Sequence, residues 1–266
     1  MTPRIIHFIW LGGQPKPPIV ARCLESWRRF CPGWEIREWN DAAIERIDNR
    51  YMREALRAKK WAFAADYVRL YALDRFGGFY LDTDLELFKP LDPFLANDFT
   101  TGFIDRAPNV YLNMCFLGAA PGNRFVRQML DEYGRIPFVL PSGEYDQTPN
   151  VVRMARFFAA QGIDFTDCRK TVRLSPTEVI HPVEFFNSRA GYAFHHAAAT
   201  WLDDWLRKTY LRIGPFRVVR FKRRKEATGN VTPLIAGERI VWTLRLGPRR
   251  KICLTRVARA AEGEAR

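Results

Sequence analysis

A helix with almost no polar face runs into two glycines and then into an apolar stretch punctuated by carboxylates: WAFAADYVRLYALDRFGGFYLDTDLELF, residues 61–88. Within Trp61–Leu73 only Asp66 and Arg69 are charged. A helix apolar nearly all round is buried, and buried charges need partners or a ligand. Three residues apart, Asp66 and Arg69 share a helix face. Gly77-Gly78 marks the helix end, where a left-handed cap is easy for glycine. The chain beyond is expected to be extended, with Phe79, Leu81, Leu85 and Leu87 facing one way and Asp82, Asp84 and Glu86 the other.

The flanking sequence fits the same pattern. Arg4–Trp10 is β-branched and aromatic and stops at Gly12-Gly13 and a Pro-rich turn, which predicts a first strand and a loop. Val20–Phe30 carries apolar residues at Val20, Leu24, Trp27 and Phe30, a helical spacing ended by Cys31-Pro32-Gly33. Trp34–Trp39 reads as a second strand and Lys60–Phe76 as the long apolar helix. Further on, Tyr111–Ala119 reads as a strand, Asn123–Tyr133 and Asn150–Ala160 as helices, and Leu202–Tyr210 as a short last helix. This alternation predicts an α/β fold with a mostly parallel sheet covered by helices.

Eight Trp and twenty Phe in 266 residues require a substantial core and exclude a disordered chain. The five cysteines, Cys23, Cys31, Cys115, Cys168 and Cys253, are scattered without Cys-x-x-Cys spacing, so reduced buried thiols are expected. No secretory leader pattern and no run of ~18 uncharged apolar residues is present, which predicts a cytoplasmic protein without a spanning anchor. Charge divides the chain: residues 1–206 hold 25 Lys/Arg against 25 Asp/Glu, whereas residues 207–256 hold 15 against 2. The expected organisation is a catalytic domain over 1–206 and a basic C-terminal extension over 207–266.

Residues 211–225, LRIGPFRVVRFKRRK, and the segment Arg239–Arg256 mix basic with bulky apolar side chains. That mixture suits an anionic membrane surface, which would make the protein peripheral on the inner face of a membrane. A small β-rich appendage with a solvated basic face is the alternative. No nucleic-acid partner is expected, since nothing in the chain matches a reading motif.

Open α/β sheets bind ligands at strand ends, where Asp82, Asp84 and Glu86 fall. Oxygen ligands that leave coordination positions open suit Mg²⁺ or Mn²⁺, which can bridge a carboxylate and a diphosphate. On residues alone the carboxylates could also be a solvated edge, Asp66 and Arg69 a plain internal ion pair, and the His195-His196 pair structural. Asn113 reads equally well as a buried amide bonded to backbone.

RIIHFIWLGG, the SW of LESW, WNDAAI, AKKWAFAADYVRLYALDRFGGFYLDTDLELFKPLD and HHAAATW together resemble glycosyltransferase family 32, over roughly residues 3–206. More distantly they are similar to the large clostridial glucosylating toxins. The resemblance implies a GT-A type, Rossmann-like nucleotide-binding fold and a Mn²⁺ or Mg²⁺ cofactor. It also implies retaining transfer of a hexose from a UDP- or GDP-sugar donor to a glycan or lipid-linked acceptor, in polysaccharide or capsule biosynthesis. It puts Trp10 near the donor base, Asp66 on donor hydroxyls and Arg69 on the diphosphate or sugar. Asp82 and Asp84 become the DXD pair, with Asp84 the direct metal ligand and Asp82 nearer ribose and sugar; Glu86 supports them. His195, His196, Thr200 and Trp201 match a late motif that closes over diphosphate and metal, with His196 the preferred ligand and Trp201 on the donor. Asn113 would lie near the donor sugar. Same-face attack and double displacement both remain open. A haloacid-dehalogenase-type phosphoryl transferase fits poorly, because Glu86 stands where that motif expects Thr or Val. A basic membrane- or nucleic-acid-binding module is the non-enzyme alternative.

Overall fold

The computed structural model describes residues 1–106, 109–163, 167–196, 205–213, 216–223, 238–246 and 250–257. The chain divides into two units, Met1–Phe138 with Gln147–Ala198, and Val139–Asp146 with Ala199–Arg266. The first opens with β1 (Ile5–Ile9), α1 (Pro18–Phe30), β2 (Glu35–Trp39), α2 (Arg50–Arg57), α3 (Trp61–Phe76), β3 (Gly78–Leu81) and β4 (Leu85–Leu87). It continues with β5 (Phe99–Arg106), β6 (Asn109–Leu112), β7 (Phe116–Ala119), α4 (Arg124–Arg135) and α5 (Asn150–Ala159). It ends with β8 (Val172–Ser175), β9 (Glu178–His181), α6 (Val183–Phe186) and β10 (Ala193–His195).

The main sheet runs β2-β1-β3-β7-β5-β9-β8, with β6 on β5. Only β2-β1-β3 and β5-β9 are parallel; β3-β7, β7-β5, β5-β6 and β8-β9 are antiparallel. The mostly parallel sheet expected from the sequence is therefore a mixed one. Parallel neighbours need a crossover of a dozen residues or more, whereas the links β5-β6 and β8-β9 are two residues long. Tyr111–Ala119 is extended but interrupted: β6 and β7 follow one another along β5, and residues 113–115 turn between them.

The parallel end of the sheet matters most. From β1 the chain crosses through α1 to β2 on one side and returns through α3 to β3 on the other, so β1/β3 is a topological switch point. The loops after these two strands diverge there and leave a crevice beyond their carboxyl ends. Gly78 makes the junction possible: its φ is +96°, and a Cβ on it would lie 2.5 Å from the Ile5 carbonyl oxygen of β1. Gly77, at φ +63°, ends α3 with its N–H on the Leu73 oxygen at 2.8 Å.

Phe79 and Leu81 point into a core with Phe8, Trp27 and Phe116. Trp27 of α1 meets Phe8 edge-on at 5.7 Å and donates its indole N–H to the Leu85 oxygen at 2.8 Å, so the same side chain anchors sheet and β4. All five cysteines are free and buried, as expected. Among the described residues no helix is long and apolar enough to cross a membrane.

The second unit carries β11 (Trp205–Ile213), β12 (Phe216–Arg223), β13 (Glu238–Arg245) and β14 (Arg250–Val257), an antiparallel sheet ordered β11-β12-β14-β13. A strand thus replaces the short helix expected over Leu202–Tyr210 from Trp205 onward, and Leu202–Asp204 lie outside the described residues. Thr209, Tyr210 and Ile213 favour a pleated strand over a helix.

His7, fully buried on β1, is held neutral chiefly by burial, and its two neighbours fix its tautomer. The Trp39 indole N–H donates to Nδ1 at 3.1 Å, so Nε2 carries the proton and donates to the Gly77 oxygen at 2.8 Å. A second proton on Nδ1 would face a donor, and burial already pushes the imidazole down to about 4. The unfolded chain therefore takes up a proton first as pH falls from 6.5. Unfolding free energy should drop by about 3 kcal/mol between pH 6.5 and 4 on account of His7 alone. His181, half-buried and pushed down to about 4 by desolvation, adds a loss of the same sign. Denaturant midpoints over this range check the point: Trp39→Phe should flatten the slope, and an unchanged slope would contradict the locked tautomer.

Candidate active site

Two elements converge at the switch point. The extended run expected over Phe79–Leu87 is broken: β3 ends at Leu81, Asp82-Thr83-Asp84 turn with the Leu85 N–H on the Asp82 oxygen at 2.9 Å, and β4 leaves the main sheet to pair with β10. The three carboxylates consequently do not share one face. Each has its own partner.

Asp82 continues the β3 face that carries Tyr80. It accepts the Tyr80 hydroxyl at 2.6 Å and lies 3.5 Å from Arg69 Nη1. The β1-β3 register, Ile6 with Phe79 and His7 with Tyr80, extends to put Asp82 level with Ile9, next to Trp10. Asp84 meets His195, Nε2 to Oδ1 at 3.1 Å, and the same nitrogen is 3.9 Å from Asp82 Oδ2. Asp82, Asp84 and His195 side chains are 21%, 15% and 14% exposed, enough to be reached from the crevice. Glu86 belongs to a separate network. Arg22 Nε and His196 Nε2 bond its two oxygens, each at 2.9 Å, and these bonds outweigh burial to hold its carboxyl below the usual range. His196, the histidine preferred from the sequence as metal ligand, thus engages Glu86, and His195 sits with the DXD pair.

Asp66 and Arg69 face the pair from α3. Arg69 is 7% exposed and engaged on every side: Nη2 to Asp66 at 2.9 Å, Nη1 to the Met114 oxygen at 2.7 Å, and its guanidinium 4.5 Å over the Tyr80 ring. Burial alone would ease its proton off, yet Tyr80, Asp82 and Asp66 raise its affinity further, so the cation persists. Asp66 has a share of that charge and the Asn150 amide at 2.8 Å, which do not offset full burial, and its carboxyl is pushed up to about 7. The geometry makes Arg69 an organiser of Asp66, Tyr80 and Asp82.

Asn113, expected near the donor sugar, is fully buried. Its amide accepts the Cys115 N–H at 3.0 Å and donates to the Phe186 oxygen at 3.3 Å, bonds that brace the turn between β6 and β7. That turn delivers Cys115, whose sulfur lies 3.7 Å from His195 Nδ1. Burial, then the nearby Asp82, push the Cys115 thiol well above its usual range, so it remains a thiol. Trp10, half-buried past the end of β1, fixes its ring by donating Nε1–H to the Gln14 oxygen at 2.6 Å. Thr200 and Trp201 lie outside the described residues. Tyr80, Cys115 and Asn150 are the site residues the sequence reading missed. Tyr80 was recoverable, being two residues before Asp82 on one strand face; Cys115 and Asn150 arrive from distant elements and leave no local signal.

One oxygen of Asp82, the Cys115 sulfur and one nitrogen of His195 all lie within 4.8 Å of one another. With Asp84 beside them, two carboxylates and an imidazole form a donor set that Mn²⁺ accepts readily and Mg²⁺ accepts through its oxygens. Mg²⁺ and Mn²⁺ favour oxygen and nitrogen donors over sulfur, so Cys115, 3.7 Å from His195 Nδ1, is placed to orient that ring. The residues fit a divalent metal.

Residues 17–100 match the family profile described as glycosyltransferase sugar-binding region containing DXD motif. An uncharacterised glycosyltransferase of Acanthamoeba polyphaga mimivirus, L373, is 26% identical over 198 residues, covering 71% of this chain and 76% of that one. Two solved structures are similar. The PaToxG glycosyltransferase has 18% identity and a TM-score of 0.40, over 49% of this chain and 59% of that one. A glycosyltransferase involved in the glycosylation of the major capsid of PBCV-1 has 9% identity and a TM-score of 0.42, over 73% and 93%. The chain thus spans about three-fifths of the first of these structures, and its fold assignment rests on its own sheet order.

Arg69→Met should cost about 3–5 kcal/mol of folding stability, because it strands two carboxylates that shared one buried cation. Adding Asp66→Asn should restore part of that loss. Chemical denaturation of the single and double variants measures it; a loss under about 0.5 kcal/mol in the single variant would show that Arg69 organises nothing.

Proposed function

We propose that this glycosyltransferase moves a hexose from a UDP- or GDP-linked donor to a glycan or lipid-linked acceptor, with a divalent metal held by Asp82, Asp84 and His195. The observation that carries the reading is the meeting of these three side chains at the carboxyl end of β3, beside the β1/β3 switch point. The DXD-region match over residues 17–100 supports it independently.

The chain's residues divide the work. Trp10, one residue past the level of Asp82, offers a ring for the donor base. Asp66, kept in place by Arg69 and Asn150, accepts from donor hydroxyls. Tyr80 and Arg69 hold one oxygen of Asp82, leaving the other, 3.9 Å from His195 Nε2, for the metal. When bound, Mn²⁺ or Mg²⁺ stabilises the negative charge that develops on the departing diphosphate. The carboxylates Asp66, Asp82, Asp84 and Glu86 each have a bonding partner within the protein. Attack by the acceptor hydroxyl on the face the diphosphate leaves, with retention, is part of the same proposal. A GT-A type reading of the nucleotide-binding half and a place in polysaccharide assembly belong to the same proposal.

Nucleoside diphosphate release from UDP- and GDP-hexoses, with an acceptor pool and Mn²⁺, tests the assignment. Asp84→Asn and His195→Gln should each lower turnover about a hundredfold or more. His196→Gln should lower it less than about tenfold, since Arg22 still holds Glu86. A dead His196 variant beside an active His195 variant would reverse the ligand assignment.

A further inference from the structure

The second unit presents a sheet face that is inverted for a water-exposed surface. Directly paired residues share a face. Leu211 pairs with Val218, Val218 with Leu254, and Leu254 with Trp242, so one apolar row crosses all four strands. Beside it runs a row of Arg220, Ile252 and Leu244, and on its other flank Phe216 pairs with Arg256. The Arg256 guanidinium stands 5.8 Å from the Phe216 ring. Trp242 is 54% exposed, Leu211 50%, Leu244 44% and Phe216 38%.

The opposite face is the covered one at β12 and β14, where Val219 and Cys253 are fully buried and Lys251 is 9% exposed. An antiparallel sheet with one covered face ordinarily turns polar residues to water. This one turns outward aliphatic and aromatic side chains with Arg220, Arg250 and Arg256 among and around them. Among the described residues of that face there is no carboxylate, in a segment holding 15 Lys/Arg against 2 Asp/Glu.

We propose that this face of the β11-β12-β14-β13 sheet docks on an anionic lipid bilayer, with Trp242, Leu244, Leu211 and Phe216 at the headgroup boundary and the arginines on lipid phosphates. Trp at that depth and arginine against phosphate are each favoured. The charge argues against a second copy of the chain, which would set arginine against arginine. An enzyme held this way meets acceptors carried on lipid, yet the docking itself needs no catalysis.

Sedimentation of the full chain with vesicles tests the proposal independently of transfer. The chain should pellet with phosphatidylglycerol-containing vesicles, stay in solution with pure phosphatidylcholine, and be released by high salt. Arg250→Glu with Arg256→Glu should lower partitioning by at least about fivefold per arginine. Trp242→Glu with Leu244→Glu should lower it comparably with an unchanged melting temperature, both sites being exposed. Brominated acyl chains should quench the wild type more than Trp242→Phe. Equal pelleting with neutral vesicles, undiminished binding by both double variants, or a solution dimer that those variants dissolve would overturn it. So would salt-resistant binding of a single-stranded oligonucleotide that the Trp242 variant abolishes, which would reassign the face to nucleic acid.

Discussion

The guanidinium of Arg69 is the constraint around which the site is built. It rises from an almost wholly apolar helix, lies over Tyr80, and bonds Asp66 on its own helix and the Met114 carbonyl on the adjoining turn, with Asp82 within ion-pair reach. One buried cation therefore ties α3, the end of β3 and the β6-β7 turn together. A buried charge is stable only when fully partnered, so the arrangement tolerates little displacement of any of the three. Asp82 is aimed by this contact, and the turn that follows Asp82 aims Asp84 at His195.

That dependence separates what the sequence could reveal from what it could not. The apolar helix, the glycine pair and the strand after it were legible, because helical burial and a Cβ-free junction each leave a local signature. The turn at Asp82-Thr83-Asp84 was not. It occupies three residues between Leu81 and Leu85, which preserves the odd-even alternation, so a period-two pattern runs unbroken through a chain that bends. The interruption of Tyr111–Ala119 escaped notice similarly: Asn113 reads equally as a ligand candidate and as a buried amide bonded to backbone, and its distant partner, the Phe186 carbonyl, comes from tertiary structure.

The choice between His195 and His196 was likewise closed to sequence reasoning. It depends on the pairing of β10 with β4, where a one-residue slip exchanges the two side chains. The β4 segment is held from beneath by the Trp27 and Ser26 side chains of α1, which bond its backbone at 2.8 and 3.0 Å. A helix far from the carboxylates in sequence thus decides which imidazole reaches them. Composition was more informative about the tail, where the whole charge excess falls; that the tail builds a sheet with an apolar outer face required the strand register.

The central claim is that Asp82, Asp84 and His195 hold a divalent cation that in turn makes a nucleoside diphosphate a ligand. Isothermal titration of UDP and GDP into the full chain, with Mn²⁺ and again with chelator, tests it most directly. The account predicts that one of the two binds at least about a hundredfold more tightly with Mn²⁺, and that the gain disappears in Asp84→Asn while the fold persists. Equal affinity with and without the metal would contradict it.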